Sequence, residues 1–155
     1  MYAFELQRAT SAADAARHAA AGARPLAGGQ TLLAAMKLRI AQPESLVDLS
    51  GVQEMTGIRR DGARLRIGAM TRHAQVAASA EVRQAIPALA DLAAHIGDRQ
   101  VRARGTLGGS VANNDPAACY PSAVLGLGAT VHTTRRAMPP PAHARWPAAR
   151  PCWPR

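Results

Sequence analysis

The hydrophobic pattern changes period several times within the first fifty residues. Phe4 to Arg8 partly alternates and predicts a short strand. Ser11 then precedes an alanine-rich run, Ala12 to Ala21. Asp14 stands in the position of a capping-box acid and Gly22 as the stop, which together predict a helix. Arg24 to Ala27 reads as a second strand. Behind Thr31, a candidate N-cap, Leu32, Leu33, Met36 and Ile40 fall close to helical spacing and predict a helix over 31–40 that ends before Pro43. Ser45 to Leu49 reads as a third strand. Strand, helix, strand, helix, strand in so short a stretch is the signature of a small parallel βαβαβ unit.

From Val52 the character changes. Met55–Arg59 and Arg64–Gly68 predict two strands around the hairpin signal Asp61-Gly62. A helix is expected from a Thr71 cap through Ala78, another from Pro87 to about His95, a third over Pro116 to Leu127, and a strand over Thr130 to Thr134. The expected fold class is therefore α+β. A parallel unit over 1–51 is followed by a mixed or antiparallel sheet with helices over 52–136, and a ligand is clamped between the two. The remainder, 137–155, holds six Pro, five Ala, three Arg and both tryptophans, with no Leu, Ile, Val, Asp, Glu or Lys. Such a segment is expected to be disordered, because it has too little apolar surface to offset the entropy of ordering.

Composition adjusts this picture in three ways. The core must be built from Ala, Leu, Val and Ile, since only one Phe and two Tyr are present. The net charge of +9 admits a nucleic-acid partner, but the arginines are scattered, Lys37 is the single lysine, and no basic run alternates with aromatics, so a solvated basic surface is expected. Cys119 and Cys152 form no C-x-x-C pair, and the five histidines show no ligand spacing, so no metal site is expected and the histidines should be exposed or half-buried. The N-terminus lacks the apolar stretch of a signal peptide, no segment is long enough to span a membrane, and a reducing, cytoplasmic setting is the expectation.

Candidate chemistry lies in two glycine-rich stretches. In Pro25-Leu-Ala-Gly-Gly-Gln-Thr-Leu32 a double glycine feeds a helix start; in Arg104-Gly-Thr-Leu-Gly-Gly-Ser110 another is bracketed by hydroxyls and followed by Asn113-Asn-Asp-Pro116. Glycine leaves no Cβ to hold a ligand off, so either stretch can turn several N–H groups toward one anion, and two of them would suit a diphosphate. Each can equally be an ordinary turn, and Asn114-Asp115 can equally cap a helix beginning near Pro116. Gly126-Leu-Gly128 mimics the start of a dinucleotide fingerprint, but Val131 takes the place of the third glycine and core packing is expected instead.

These two stretches, with Ile67-Gly-Ala-Met-Thr71 and Ser122-Ala-Val-Leu-Gly-Leu-Gly-Ala129 in matching order and spacing, resemble the FAD-binding (medium) subunit of the molybdenum hydroxylases. That family includes the carbon monoxide, xanthine and aldehyde dehydrogenases. The likeness runs from about Phe4 to Arg136 and implies a two-sub-domain FAD-binding fold of the PCMH type. It implies that Pro25, Leu26, Ala27, Gly28, Gly29, Gln30, Thr31 and Leu32 line the FAD diphosphate, largely through backbone N–H groups. Thr106, Leu107, Gly108, Gly109 and Ser110 are implied at diphosphate and ribitol, Ile96 near the flavin, and Asn114 and Asp115 at ribose or adenine. Lys37 and Arg104 are candidates for offsetting phosphate charge. Many relatives carry an acid where Cys119 stands here. The implied partners are a molybdopterin-containing large subunit and a 2Fe-2S small subunit. No side chain of this chain is expected to act as an acid or base, because the chemistry would belong to the flavin. Relatives continue with further strands where the tail departs, which resembles a shifted frame or a natural truncation after Arg136. The alternatives are a non-functional fragment of such a subunit and a basic anion- or nucleic-acid-binding module.

Overall fold

The computed structural model describes residues 1–133 and the short strand Ala137–Met138. Three strands, β1 (Glu5–Arg8), β2 (Arg24–Leu26) and β3 (Ser45–Asp48), form a sheet in the order β1-β3-β2, and both pairings are parallel. The central strand carries consecutive Leu46 and Val47, which point to opposite faces and are both fully buried. Val47 packs with Ala9, Ala15, Ala23 and Val52, so the helix α1 (Ala12–Ala20) meets the sheet through alanines alone. Ser11 caps α1 by accepting from the Asp14 N–H at 3.1 Å. Asp14 reaches back one residue further than a capping box requires, to the Thr10 N–H at 3.1 Å. Gly22, at φ +100°, ends the helix as expected.

The second helix is shorter than its apolar spacing predicts. This helix, α2, runs Leu32–Lys37 instead of 31–40, and Arg39 turns left-handed at φ 59°. Thr31 stands at its N-cap but makes no capping bond.

A second hydrophobic cluster lies in the helical part. Val76 of α3 (His73–Ala78), Val82 of α4 (Ala80–Ala85), Leu89, Ala90 and Ala93 of α5 (Pro87–Ala94) and Tyr120 of α8 (Cys119–Gly126) form its centre. Ile58, Leu65 and Ile67 pack on it from the antiparallel hairpin β4 (Ile58–Asp61) and β5 (Arg64–Ile67). Thr71 does not cap α3; Arg72 takes that position. The Thr71 hydroxyl instead donates to the Gly57 carbonyl at 3.1 Å and accepts from the Gly57 N–H at 3.0 Å, tying the start of α3 to the hairpin entry.

Three helices fall where no helix is predicted. Ser79 starts α4 directly after α3, Asp98 caps α6 (Arg99–Arg104), and Thr106 caps α7 (Leu107–Asn113). The helix α8 begins at Cys119, three residues after Pro116. The Gly126-Leu-Gly128 pair is its exposed C-terminal end, with Leu127 47% exposed, and is not core. The last expected strand is reduced to β6 (Val131–His132), which pairs antiparallel with β7 (Ala137–Met138). Ala137 and Met138 are thus ordered into a strand, and the rest of the expected disordered tail lies outside the described residues.

Candidate functional site

The first glycine stretch leaves β2 at Leu26 and enters α2 at Leu32. Gly29 has φ +72°, a conformation that glycine adopts without strain. Among the described residues, none of the backbone N–H groups of Gly28, Gly29, Gln30, Thr31 and Leu32 donates to another protein atom; the first claimed amide is that of Leu33, which donates to the Gly29 carbonyl at 3.0 Å. The Gln30 side chain is used locally, its amide donating to the Gly28 carbonyl at 3.1 Å. Unclaimed amides at a tight turn before a helix can collect on an anion. Lys37 is exposed in the last turn of α2, at the opposite end of the helix from this turn.

The second stretch is not an open loop. Gly108 and Gly109 lie in the first turn of α7, and the Thr106 hydroxyl caps it by accepting from the Gly109 N–H at 3.1 Å. Residues 105–108 run alongside 69–73. The His73 N–H donates to the Gly105 carbonyl at 3.0 Å, the Leu107 N–H to the Thr71 carbonyl at 3.0 Å, and the Gly108 N–H to the Ala69 carbonyl at 2.8 Å. The Ser110 N–H donates to the Thr106 carbonyl at 3.1 Å. Every amide from Leu107 to Ser110 is therefore claimed inside the protein, so the donors this stretch leaves uncommitted among the described residues are the Thr106 N–H and the Ser110 hydroxyl. The pairing with 69–73 also gives the Ile67–Thr71 motif its place: it is the rail on which the second stretch lies.

The two stretches meet. A Cβ on Gly28 would stand 2.7 Å from the Gly105 Cα, and against the Arg104 carbonyl as well. A Cβ on Gly109 would come within 3.3 Å of the Ala27 Cβ, and one on Gly108 within 2.5 Å of the Ala69 Cβ. Real Cβ atoms do not approach within 3.0 Å, so Gly28 and Gly108 permit contacts that a side chain would block, whereas the Gly109 approach to Ala27 is only tight. Pro25, Leu26 and Ala27 supply the strand end, and exposed Arg104 contributes its carbonyl to the contact with Gly28.

The remaining candidates fall around this joint. Ile96 is half-buried against the helical core, and its carbonyl accepts from Arg102 Nη1 at 3.2 Å, as does that of Gly97 at 2.6 Å. Leu107 packs on the same core. Asn114 is the left-handed C-cap of α7, with φ 49° and ψ 40°. Asp115 accepts from the Ala117 N–H at 2.9 Å and holds the turn into α8. Neither residue caps α8, whose N-cap is Ala118 without a side-chain capping bond. Cys119 is exposed at the start of α8.

One residue the sequence reading placed wrongly is His73. It is not at the surface but only 4% exposed, and burial lowers its pKa from the ordinary 6.5. Its ring centroid lies 5.3 Å from that of fully buried Tyr120, whose pKa burial raises, with neighbouring Cys119 adding to the effect. The available signal was its place two residues after Thr71 of the Ile67–Thr71 motif, at the start of a helix with Val76 one turn on.

Among the described residues no group of three or more His, Cys, Asp or Glu side chains is placed to hold a metal, and no helix is long and apolar enough to cross a membrane.

Comparison with known proteins accounts for this arrangement. Carbon monoxide dehydrogenase medium chains are similar to it: that of Hydrogenophaga pseudoflava is 44% identical over 105 residues, covering 68% of this chain and 37% of the relative. That of Afipia carboxidovorans is 39% identical over 134 residues, covering 84% and 46%. The solved carbon monoxide dehydrogenase from Hydrogenophaga pseudoflava superimposes with a TM-score of 0.83 at 37% identity, over 88% of this chain and 50% of the solved one. The chain thus spans half or less of the length of the proteins it matches. The sequence profile described as the FAD binding domain in molybdopterin dehydrogenase matches residues 2–140, and by that match the chain belongs to this family.

Proposed function

We propose that this chain is the FAD-binding portion of an electron-transferring subunit in a molybdopterin-dependent dehydrogenase. Bound FAD would supply the redox chemistry, as the relay between iron–sulfur clusters on a small partner subunit and an external acceptor, while substrate oxidation would belong to a molybdopterin-containing large subunit. What this chain's own residues do is bind and orient. The observation that carries the reading is the run of unclaimed N–H groups from Gly28 to Leu32 beside the close contact of Gly28 with Gly105.

The residues fit the cofactor unequally. The amides of Gly28, Gly29, Gln30, Thr31 and Leu32, with the uncommitted Thr31 hydroxyl, are the diphosphate ligands in this reading. The second stretch contributes shape, with the Thr106 N–H and the Ser110 hydroxyl as its uncommitted donors. The absence of side chains at Gly108 and Gly109 lets α7 press on Ala69 and approach Ala27, forming a wall beside the first turn. In this reading Ile96, held through its carbonyl by Arg102, is assigned to the flavin and the Ser110 hydroxyl to the ribitol. Arg104 and Lys37 are exposed charges, and in this reading they offset phosphate charge through a screened interaction.

Titrating the purified chain with FAD and following flavin fluorescence and co-elution tests this reading. Flavin that co-elutes, and an affinity that falls about tenfold or more in Gly29→Ala, where φ +72° disfavours any side chain, are the expected results. A colourless protein, or a Gly29→Ala variant that folds and binds FAD as tightly as the parent, would sink it.

A further inference from the structure

Behind the joint between the two glycine stretches lies a buried pair that FAD binding does not itself use. The space a Gly105 Cβ would take is filled by the His73 imidazole, whose Nε2 would be 2.5 Å and Cδ2 2.7 Å from such an atom. Gly105 in turn fills the corresponding space on Gly28. The contacts run without a break from Tyr120 to His73, from His73 to Gly105, and from Gly105 to Gly28. His73 also ties itself to the strap by donating its backbone N–H to the Gly105 carbonyl at 3.0 Å. Both rings are more than nine-tenths buried, and both carry a polar atom with no hydrogen-bond partner among the described residues, His73 Nδ1 and the Tyr120 hydroxyl. A buried polar atom left without a partner is destabilising. An apolar side chain would serve a purely packed core better.

We propose that His73, backed by Tyr120, is the positioning residue that presses Gly105 against Gly28 and so sets the spacing of the two glycine stretches, and that it does this only as the uncharged imidazole. This inference rests on the FAD reading above. A charged ring has no counter-ion at this position. Glu81 and Arg83 on α4, Asp91 and His95 on or next to α5, and Arg99 and Arg104 on α6 are exposed, half-buried Arg102 is engaged by the carbonyls of Ile96 and Gly97, and the group stacked on His73 from α8 is Tyr120. Burial is accordingly the sole cause lowering the His73 pKa. A lowered pKa means that the closed joint is fully favoured above the ordinary value of 6.5 and is progressively lost as pH falls below it, by up to about tenfold per pH unit.

The test is a pH titration of the chain by NMR, following the His73 ring and the Gly28 and Gly105 amide signals, with FAD affinity measured across the same range. His73→Gln keeps an atom near the Nε2 position and does not titrate. In the parent chain the Gly28 signal is expected to move with His73 protonation and FAD affinity to fall at least tenfold between pH 7 and the lower end of the transition. In His73→Gln the signal should stay fixed and affinity vary less than threefold. Tyr120→Phe, which keeps the ring and removes the orphaned hydroxyl, should retain the parent's pH profile and guards against a His73 variant that fails to fold. A Gly28 signal indifferent to His73 protonation, or a profile that persists in His73→Gln or vanishes in Tyr120→Phe, overturns the proposal. If the Gly28 signal follows His73 but FAD binds at no pH, the positioning role stands and the flavin reading fails. If FAD binds with pH-independent affinity while His73 protonates, the positioning role fails alone.

Discussion

Gly28-Gly29 and Gly108-Gly109 are both double glycines close to hydroxyl residues and helix starts, but the structure uses them differently. From Gly28 to Leu32 five consecutive N–H groups are left without a protein acceptor, while from Leu107 to Ser110 every amide is engaged internally. The first pair contributes a left-handed φ at Gly29 and a free set of donors. The second contributes missing side chains, which allow a helix to lie against Ala69 and near Ala27. Glycine thus answers two separate needs within one site, conformational range in the first case and close backbone approach in the second. Residue type alone does not distinguish them, because what separates them is whether a neighbouring segment and the helix cap supply acceptors.

Gly28→Ala should produce the largest effect, since the added Cβ meets backbone on the other stretch and neither side can give way. A loss of about 3 kcal/mol in urea unfolding, with FAD uptake abolished, is expected from overpacking of this kind. Unchanged stability would show that the two stretches do not touch. Thr106→Val comes next. It removes the acceptor for the Gly109 N–H and should cost about 1 kcal/mol of stability. Its effect on FAD affinity should be under threefold at saturating stability, because the second stretch acts through shape; a tenfold loss in a folded variant would make that stretch a donor site after all. Asn114→Gly is the smallest. The left-handed C-cap suits glycine, so stability should rise by roughly 0.5 kcal/mol with FAD affinity unchanged. A drop in affinity measured by fluorescence titration would assign the Asn114 side chain to the nucleotide.

The local rules carried most of the first fifty residues. Ser11, Gly22 and the three strands were legible because cap chemistry and a fully buried central strand leave marks in the sequence, as Leu46-Val47 does. The hairpin was legible from Asp61-Gly62, where Gly62 takes φ +57°. The helices α4, α6 and α7 were not. Each has six or seven residues, too few for two full turns of an apolar stripe, and α7 contains two glycines that argue against a helix on propensity alone. Tertiary pairing with 69–73 overrides that propensity, and such pairing has no local signature. In the site, the meeting of the two stretches was legible through ordered motifs; the engaged state of the second set of amides and the burial of His73 were not, because both depend on what packs behind them.

The contact between Gly28 and Gly105 also links two hydrophobic clusters that are otherwise built from separate parts of the chain, one on the parallel sheet and one among the helices. A ligand seated across that contact stabilises the joined state of both clusters, not just the turn it touches. At a hundredfold excess over its dissociation constant such linkage is worth about 2.7 kcal/mol, a sizeable fraction of what holds a domain of this size together. The cofactor site and the seam between the clusters are thus one thermodynamic unit, and saturation of the first sets how often the second opens.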